Sequence, residues 1–406
     1  MTQTCVIIGA SHAAAQLVVS LRQSGWEGGI TLIGDEPNVP YHHPPLSKDY
    51  LSGVKSEEDL LIRPEDAYAQ ANIDLKLSTR VMGIDREAKT VTTNAGETIF
   101  YSKLILATGA RVRKLPIEGA DLPGVHYLRD MADVTAIKSA AAEAKGAVII
   151  GGGYIGLETA ASLRKMGLDV TVLEAMPRIL QRVTAPELSD FYKRVHSEEG
   201  VIIKENVMAS SITQSESGLT VNDKADGSYS ADFVIIGIGV IPNIELAEEA
   251  GLEVGNGIVV NEYCQTTEPD IYAIGDVTWH YNAKYDRHLR LESVPNATEQ
   301  AKIAAGHISG KEKAYDSLPW FWSDQFDLKL QIAGLSEGYD ELVIRGDAKT
   351  GRSFAAFYFK GDRLLAVDAV NAPREFAMTR MLLTKGQSFD KQKLRDTTLA
   401  IKETIL

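Results

Sequence analysis

The residues with the clearest chemical meaning are three glycines, Gly151, Gly153 and Gly156, which follow an apolar run at G-x-G-x-x-G spacing. In a strand–loop–helix unit the first glycine permits a tight turn, the second lets backbone approach a pyrophosphate, and the third lets the helix pack closely. The helix N-terminus also presents unpaired N–H groups and the positive end of its dipole to phosphates. The spacing therefore predicts a dinucleotide-binding loop; an ordinary glycine-rich turn in an α/β sheet is the alternative.

An acidic residue stands where the ribose of that dinucleotide would be recognised. The next apolar run, residues 170–173, ends at Glu174, 23 positions after Gly151. A carboxylate there accepts a hydrogen bond from an unphosphorylated 2′-OH, which favours NAD over NADP. Arg178 lies near the same strand end and is the type of residue that accommodates a 2′-phosphate, so it weakens the preference for NAD without reversing it.

A similar pattern opens the chain. Gly9, Ser11 and Ala14 occupy the three glycine positions, and the acids Asp35 and Glu36 follow the next predicted strand. A Cβ at Ser11 crowds the approach of a pyrophosphate, although its hydroxyl can donate a hydrogen bond in exchange. Two such loops about 140 residues apart predict two bound dinucleotides, whereas a simple dehydrogenase needs only one.

Length, charge and cysteine content restrict the class of protein. The 406 residues suffice for two or three domains, and the net charge of −13 argues against a general nucleic-acid binder or adhesion to an anionic membrane. The only cysteines, Cys5 and Cys264, provide no disulfide framework and no paired-cysteine metal or redox site. Thr2 and Gln3 lead directly into the first predicted strand, so we expect no targeting segment, no membrane span and a cytoplasmic location.

The stretch 41–48 contains two prolines and leads into a predicted helix that begins near Ser47 as its N-cap. Lys48 would then lie in the first helical turn, where the helix dipole disfavours a cation. That placement suggests an anionic partner, but a solvated lysine is an equally good interpretation.

Other segments place further candidates on strands. Residues 81–91 and 97–100 read as antiparallel strands, 185–200 as a helix, and the strands 104–109 and 232–239 both end at a glycine, which extends the internal repeat. Asp276 ends the short apolar strand 271–275, where ligands bind in open α/β sheets, or else it caps a following helix. Ser293 is predicted to cap a helix with acids in its first turn.

From about Pro319 the pattern changes to alternating strands at 341–344, 354–359 and 364–367, which predicts an antiparallel α+β domain. Trp320 and Trp322 begin this part of the chain in an aromatic cluster. By itself such a cluster is more typical of a hydrophobic core than of a cofactor site.

Taken over almost its whole length, the sequence resembles the two-dinucleotide-binding flavoprotein superfamily, and more narrowly the NADH-dependent ferredoxin reductases of the putidaredoxin reductase type. The segments that carry this resemblance are YHHPPLSKDYL at 41–51, ATG at 107–109, GGGYIGLE at 151–158, GIGVIPN at 237–243, YAIGD at 272–276, ESVPNA at 292–297 and WFWSDQ at 320–325. Ser11 departs from the usual glycine.

The resemblance implies an α/β fold with two Rossmann-like dinucleotide-binding domains, for FAD and NAD, and a C-terminal α+β domain. The FAD domain would be discontinuous, with residues 1–110 and 241–318; the NAD domain would comprise 111–240 and the C-terminal domain 319–406. The implied FAD contacts are Gly9, Ser11, Ala13, Ala14, Asp35, Lys48, Val81, Thr108, Gly109, Arg129, Asp276 and Val294. The implied NADH contacts are Gly151, Gly153, Tyr154, Ile155, Gly156, Glu174 and Gly239.

The resemblance also assigns catalytic roles and a partner. Lys48 and Glu158 would pair beside the flavin, Trp320 would lie near the flavin and nicotinamide, and no metal site is expected. Electrons would pass from NADH through FAD to a [2Fe–2S] ferredoxin that feeds a monooxygenase or ring dioxygenase. The alternatives are a rubredoxin reductase, a monodehydroascorbate-type reductase, or a non-enzymatic flavoprotein of the apoptosis-inducing-factor branch. Because small ferredoxins are acidic, we expect a local basic surface, with the candidates Arg63, Arg287, Arg290, Lys302 and Lys329.

Overall fold

The computed structural model describes residues 3–216 and 218–406. Thr2, on which part of the expectation of no targeting segment rests, lies outside these ranges, as do residues 1 and 217. Across the two described ranges, no helix combines the length and apolar character needed to cross a membrane.

The helices and strands follow one another in this order. The first part of the chain contains β1 (Thr4–Ile8), α1 (His12–Gln23), β2 (Gly29–Ile33), the 3₁₀ helices Pro44–Ser47 and Glu58–Leu60, α2 (Glu65–Gln70), β3 (Ile73–Lys76), β4 (Val81–Asp85), β5 (Thr90–Thr93), β6 (Thr98–Phe100), β7 (Lys103–Leu106) and β8 (Ala110–Val112). The middle part contains β9 (Val125–Tyr127), α3 (Met131–Ala141), β10 (Gly146–Ile150), α4 (Tyr154–Lys165), β11 (Asp169–Glu174), α5 (Pro186–Glu198), β12 (Ile202–Glu205), β13 (Ala209–Ser215), β14 (Gly218–Asp223), β15 (Ser228–Ala231) and β16 (Phe233–Ile236). The last part contains β17 (Val240–Pro242), α6 (Glu245–Glu249), β18 (Ile258–Val260), β19 (Ile271–Ala273), β20 (Thr278–Asn282), β21 (Arg287–Leu289), α7 (Val294–Ile308), β22 (Trp320–Gln325), β23 (Leu328–Gly334), β24 (Glu341–Gly346), β25 (Phe354–Lys360), β26 (Arg363–Val370), α8 (Pro373–Lys385), α9 (Lys391–Arg395) and the 3₁₀ helix Ile401–Thr404.

The chain divides into two compact units. The first unit comprises Met1–His42, Glu57–Arg111 and Val240–Pro319, and the second comprises His43–Ser56, Val112–Gly239 and Trp320–Leu406. The three domain ranges predicted from the sequence stay a prediction.

The first unit is built on a parallel sheet in the order β19-β7-β1-β2-β3. Both faces of its strands are covered, as is usual for parallel sheets. Along β1, Cys5 and Ile7 pack on one side with residues of α1 and α7, and Val6 and Ile8 pack on the other. This alternation follows from the two-residue period of a strand. The sheet holds the loop after β1 and the turn after β19 at the same edge.

The second unit contains a parallel sheet in the order β12-β11-β10-β16-β9 and a separate antiparallel sheet in the order β22-β23-β26-β25-β24. The latter contains the three C-terminal strands predicted from alternation. In both units the strand that begins the glycine loop is flanked by two parallel neighbours, so the internal repeat extends to sheet topology.

Three local predictions are wrong, and one alternative, Asp276 as a helix cap, is excluded. Residues 81–91 form two antiparallel strands joined by a turn, β4 and β5, and not one. Ser293 caps α7, but the first turn of that helix contains no acid. Asp276 lies in a turn that leads into the strand β20, so it is not a helix N-cap. Ser47 ends the 3₁₀ helix Pro44–Ser47 and does not begin a helix, and Lys48 follows that helix as its C-terminal cap residue.

Candidate active site

The glycine loop after β10 shows why each of its three glycines is needed. Gly151 has φ +119°, and a Cβ there would lie 2.3 Å from the carbonyl oxygen of Gly237. A Cβ at Gly156 would lie 2.1 Å from the carbonyl oxygen of Gly151, so only glycine lets helix α4 pack this closely. Among the described residues, no atom lies within 4 Å of where a Cβ at Gly153 would be. The middle glycine therefore borders open space, which is what the approach of a pyrophosphate requires.

The start of α4 suits an anionic ligand. Its first turn contains no acidic residue, so its free N–H groups and dipole are not already neutralised. Ile155 in that turn is 46% exposed, and the ring of Tyr154 packs on Phe321 with a centroid distance of 5.2 Å. The protein thus presents an apolar side chain and backbone donors together, a combination that fits a nicotinamide dinucleotide.

Glu174 is fixed to the glycine loop by two backbone hydrogen bonds. Its Oε2 accepts from the N–H of Gly152 at 2.7 Å and its Oε1 accepts from the N–H of Met176 at 2.7 Å. Each oxygen retains a further lone pair, so the carboxylate can still accept from a ribose hydroxyl.

Arg178, the residue that weakened the preference for NAD, is held by other groups. Its Nη1 donates to the hydroxyl of Ser189 at 2.6 Å and its Nη2 to the carbonyl of Gln181 at 3.0 Å. Ser189 is 1% exposed and donates in turn to the carbonyl of Ile179 at 2.6 Å. This fixed arrangement favours NADH, because the guanidinium would have to leave these partners to meet a 2′-phosphate.

The loop after β1 repeats the same geometry in the first unit. Gly9 has φ +105°, and a Cβ there would lie 2.1 Å from the carbonyl oxygen of Ala107, as Gly151 does with Gly237. Ser11, at the second glycine position, has φ −130° and ψ −157°, an extended conformation that any residue adopts without strain. The first turn of α1 also lacks acids. These residues fit the pyrophosphate of a second dinucleotide.

The two loops differ at the end of the neighbouring strand. Ile8 pairs with Ile33, and Ile150 pairs with Leu173, so the register places Gly34 at the position of Glu174. Asp35, a predicted FAD contact, lies one residue further on and is exposed. Glu174 and Asp35 therefore do not occupy equivalent positions in the two units.

The turn that contains Asp276 lies beside the start of α1. A Cβ at Gly275 would lie 3.3 Å from the Cβ of Ala13 and 3.8 Å from that of Ala297. The N–H of Gly275 donates to the buried Gln300 at 2.8 Å, which fixes the turn. Asp276 is half-buried, and Ala297 belongs to α7, the helix that begins at the half-buried Val294. The structure thus brings together the β1–α1 loop, Asp276 and α7.

The remaining predicted contacts occupy different places. Thr108 exchanges two hydrogen bonds of 2.8 Å with Asn243, through its hydroxyl and its carbonyl, beside Gly109. Gly239, the counterpart of Gly109, has φ +100° and open space at its Cβ position. Val81 is buried in the apolar core of the first unit, so its side chain packs there.

Two of the predicted FAD contacts, Arg129 and Lys48, belong to the second unit. Arg129 is half-buried and immediately precedes the capping residue of α3. Its backbone N–H donates to the carboxylate of Asp133 at 2.8 Å.

Lys48 and Glu158 form an ion pair in the second unit. Glu158 lies in α4 and is 4% exposed; its Oε2 accepts from the ammonium of Lys48 at 2.6 Å and from the hydroxyl of Ser47 at 2.6 Å. Lys48 also donates to the carbonyl of Pro44 at 3.0 Å, so two of its three N–H donors are used. The hydroxyl of Ser162 donates to the carbonyl of Ser47 at 2.7 Å and fixes the 3₁₀ helix against α4.

Trp320 begins β22 and is half-buried. Its ring packs against Trp322 and Phe376, with centroid distances of 5.5 and 5.9 Å, and the guanidinium carbon of Arg380 lies 5.0 Å above it. The ring of Trp320 is therefore only partly covered by its neighbours in the aromatic cluster. Its proposed place near the flavin stays a prediction.

Sequence reasoning missed the roles of Ser47 and Ser323. Ser47 was interpreted as an N-cap but donates to Glu158, and Ser323 donates to the other oxygen, Oε1, at 2.6 Å. The available signal was that Ser323 and Gln325 lie two positions apart on a strand and so share a face.

Comparison with known proteins decides the family. The pyridine nucleotide-disulphide oxidoreductase family matches residues 3–301, and the reductase C-terminal family matches residues 320–405. The chain belongs to the pyridine nucleotide-disulphide oxidoreductase family. Putidaredoxin reductase from Pseudomonas putida is 43% identical over 406 residues, which cover 98% of this chain and 96% of that protein. This confirms the predicted putidaredoxin reductase type and the predicted fold class.

Two further relatives bear on the partner. The crystal structure of a covalent putidaredoxin reductase–putidaredoxin complex matches with a TM-score of 0.95 at 42% identity and covers 99% of this chain and 98% of the matched chain. A rubredoxin–NAD(+) reductase from Pseudomonas putida is 39% identical over 370 residues, which cover 91% of this chain and 96% of that protein.

The word disulphide in the family name does not describe this chain. Cys5 and Cys264 are both buried and unbridged. Burial raises the pKa of the Cys5 thiol to about 12 and that of Cys264 well above its usual range. A thiol that stays protonated is a poor nucleophile, so neither residue can act as a redox-active cysteine.

Proposed function

We propose that this protein is a FAD-dependent ferredoxin reductase, which passes electrons from NADH through FAD to a [2Fe–2S] ferredoxin that feeds a monooxygenase or ring dioxygenase. The observation that carries the proposal is the duplicated strand–glycine loop–helix site, with open space at Gly153, an extended backbone at Ser11 and no acid at either helix start. When bound, FAD accepts the two electrons of a hydride and releases them singly, which a one-electron iron–sulfur acceptor requires.

Different residues of the chain bind the two cofactors, supply charge and exclude water. The starts of α1 and α4 hold the pyrophosphates of FAD and NADH through backbone N–H groups. Glu174 accepts from the ribose of NADH. Glu158 fixes the ammonium group of Lys48, which would supply a positive charge to FAD when that cofactor is bound. Trp320 would cover the flavin and nicotinamide rings and exclude water from them.

The acceptor is a [2Fe–2S] ferredoxin, with a rubredoxin as the alternative. An acidic carrier would dock on basic side chains, but two of the five candidates are already paired: Arg290 with Glu292 at 2.5 Å and Lys302 with Glu299 at 2.6 Å. Reduction of the carrier should slow as salt is raised from low to physiological ionic strength, and a rate independent of salt would contradict electrostatic docking.

The three-domain division and a cytoplasmic location complete the proposal. The two buried, unbridged cysteines agree with a reducing compartment.

The test is the visible spectrum of the purified protein under anaerobic conditions. We expect flavin bands that bleach on addition of NADH and recover on addition of oxidised [2Fe–2S] ferredoxin. Recovery only with rubredoxin would favour the alternative acceptor. Absence of flavin bands after reconstitution with FAD would refute the proposal at its first step.

A further inference from the structure

A line of buried polar side chains leads away from Glu158 inside the second unit. Ser323 donates to Glu158 Oε1 at 2.6 Å, Gln325 Nε2 donates to the hydroxyl oxygen of Ser323 at 3.1 Å, and His196 Nε2 lies 2.8 Å from Gln325 Oε1. These three side chains are at most 1% exposed. Polar side chains buried this deeply are costly unless they are hydrogen-bonded, and each of these three side chains is bonded to the next.

The charge of Glu158 fixes the direction of the whole line. A carboxylate paired with an ammonium only accepts hydrogen bonds, so the single proton of the Ser323 hydroxyl must point to Glu158. Ser323 can then only accept from Gln325, which turns the NH₂ group of Gln325 toward Ser323 and its carbonyl toward His196. His196 must therefore donate from Nε2. No other orientation avoids placing two donors or two acceptors against each other.

The surroundings of His196 agree with this tautomer. Its Nδ1 is buried and has no hydrogen-bond partner within the part of the chain that the structure describes, so a proton there would be unsatisfied. The ring packs edge-on against Phe326 with a centroid distance of 5.0 Å. Burial lowers the pKa of His196 to about 4, which keeps the imidazole neutral near pH 7.

We propose that Ser323, Gln325 and His196 are positioning residues, whose one-directional chain of hydrogen bonds holds the carboxylate of Glu158 in the orientation that pairs with Lys48. Oε2 receives two donors, Lys48 and Ser47, and Oε1 receives Ser323. Without the donor at Oε1 the carboxyl group can rotate about its last bond and carry the ammonium with it. This inference rests on the proposed function, because it assigns the orientation of Glu158 to hydride transfer.

The kinetic test compares Ser323→Ala with Ser323→Thr by anaerobic stopped-flow reduction of the flavin with NADH. We expect the limiting rate of the alanine variant to fall about tenfold, the effect of one hydrogen bond to a charged group, with the dissociation constant of NADH changed less than about twofold. Ser323→Thr restores the hydroxyl and should restore most of the rate. As a control, Thr379→Val removes another fully buried hydroxyl from the same part of the chain, one that donates only to the carbonyl of Glu375, and should leave the rate unchanged.

A double-mutant cycle separates positioning from general structural damage. In a Glu158→Gln background, Ser323→Ala should change the rate less than about twofold, because the residue through which it acts is already altered. An equal tenfold loss in both backgrounds would overturn the inference.

A second readout is independent of turnover. Histidine ¹⁵N NMR of the holoprotein should show His196 as the neutral tautomer with its proton on Nε2, and the Nε2 resonance should shift in Gln325→Met. A proton on Nδ1, or a charged imidazole at pH 7, would refute the chain. If NADH fails to reduce the wild-type flavin, the proposed function fails instead, and the NMR result still decides whether the chain of hydrogen bonds exists.

Discussion

Discrimination between NADH and NADPH should depend on the charge of Glu174. Its carboxylate is fixed at the loop by the N–H groups of Gly152 and Met176, both at 2.7 Å, so it cannot swing away from a 2′-phosphate. Two unit charges about 4 Å apart at an effective dielectric constant of about 20 repel by roughly 4 kcal/mol. That repulsion corresponds to about a thousandfold in kcat/KM. We therefore expect wild-type kcat/KM to favour NADH by about that factor.

Glu174→Gln keeps the shape of the side chain and removes the charge. The amide oxygen can still accept from one backbone N–H, but the NH₂ group faces the other donor, so the loop loses one hydrogen bond. We expect the preference for NADH to fall to about tenfold, in equal parts through a loss of about tenfold in kcat/KM with NADH from the lost contacts and a gain of about tenfold with NADPH. Arg178, released by a further Ser189→Ala substitution, should raise activity with NADPH again.

Steady-state kcat/KM with each nucleotide, measured with ferricyanide as a common acceptor, is the assay. Asp169→Asn is the matched control, because it removes the same charge from the opposite end of β11 at a side chain that is 90% exposed. Its nucleotide preference should equal that of the wild type. Equal wild-type activity with NADH and NADPH, or an unchanged preference in Glu174→Gln, would refute the assignment of Glu174 as the ribose contact.

Three further predictions concern the other parts of the site. Lys48→Ala should slow flavin reduction in stopped-flow by about 10- to 100-fold, since it removes a charged hydrogen-bond donor, and an unchanged rate would exclude a catalytic role. Gly153→Ala should leave the thermal unfolding temperature unchanged, because its Cβ meets only open space, but raise the KM for NADH about tenfold by crowding the pyrophosphate; an unchanged KM would place the phosphates elsewhere. The pKa of His196, lowered by burial to about 4, lies below its unfolded value of about 6.5, so the free energy of unfolding should fall by up to about 2 kcal/mol between pH 7 and pH 5 on its account. Asp368, whose pKa burial raises to about 6, acts in the opposite direction, so urea unfolding of His196→Gln beside the wild type isolates the histidine, and equal slopes with pH would contradict its burial as a neutral group.

The central strands of the two parallel sheets, β1 and β10, were predictable because each is a short, continuous apolar run that ends at a glycine. Residues 5–8 and 147–150 could hardly be anything but buried strands, and both are. Strand boundaries were less predictable. Residues 81–91 were predicted as one strand because the turn between β4 and β5 contains no glycine or proline. In the structure Lys89 adopts the positive φ of +54° in that turn, and lysine is not a residue type that predicts a positive φ.

The ion pair of Lys48 and Glu158 was expected from the resemblance, and the structure contains it. The local reasoning about Lys48 was wrong, because it assumed a helix that begins at Ser47. The 3₁₀ helix Pro44–Ser47 is too short to have a substantial dipole. The ammonium group of Lys48 is instead held by the carboxylate of Glu158, from a distant part of the chain. No pattern within residues 41–51 indicates a partner 110 positions away. The pairing of Lys48 with Glu158 can therefore be derived only from the folded structure.

The acids of the two loops illustrate the limit of matching by residue type. Sequence alone aligns Asp35 with Glu174, since each is the acid that follows a second strand. The hydrogen-bond register instead aligns Glu174 with Gly34, and the packing shows why: a Cβ at Gly152 would lie 3.0 Å from Glu174 Oε2, and a Cβ at Gly34 would lie 2.6 Å from the Cβ of Ala10. In the loop after β10, Gly152 faces the larger residue Glu174 at the end of the neighbouring strand. In the loop after β1, the larger residue Ala10 faces Gly34 at the end of the neighbouring strand. An acid at position 34 would collide with Ala10, so any carboxylate that reads the FAD ribose has to come from beyond the strand end, where Asp35 is exposed.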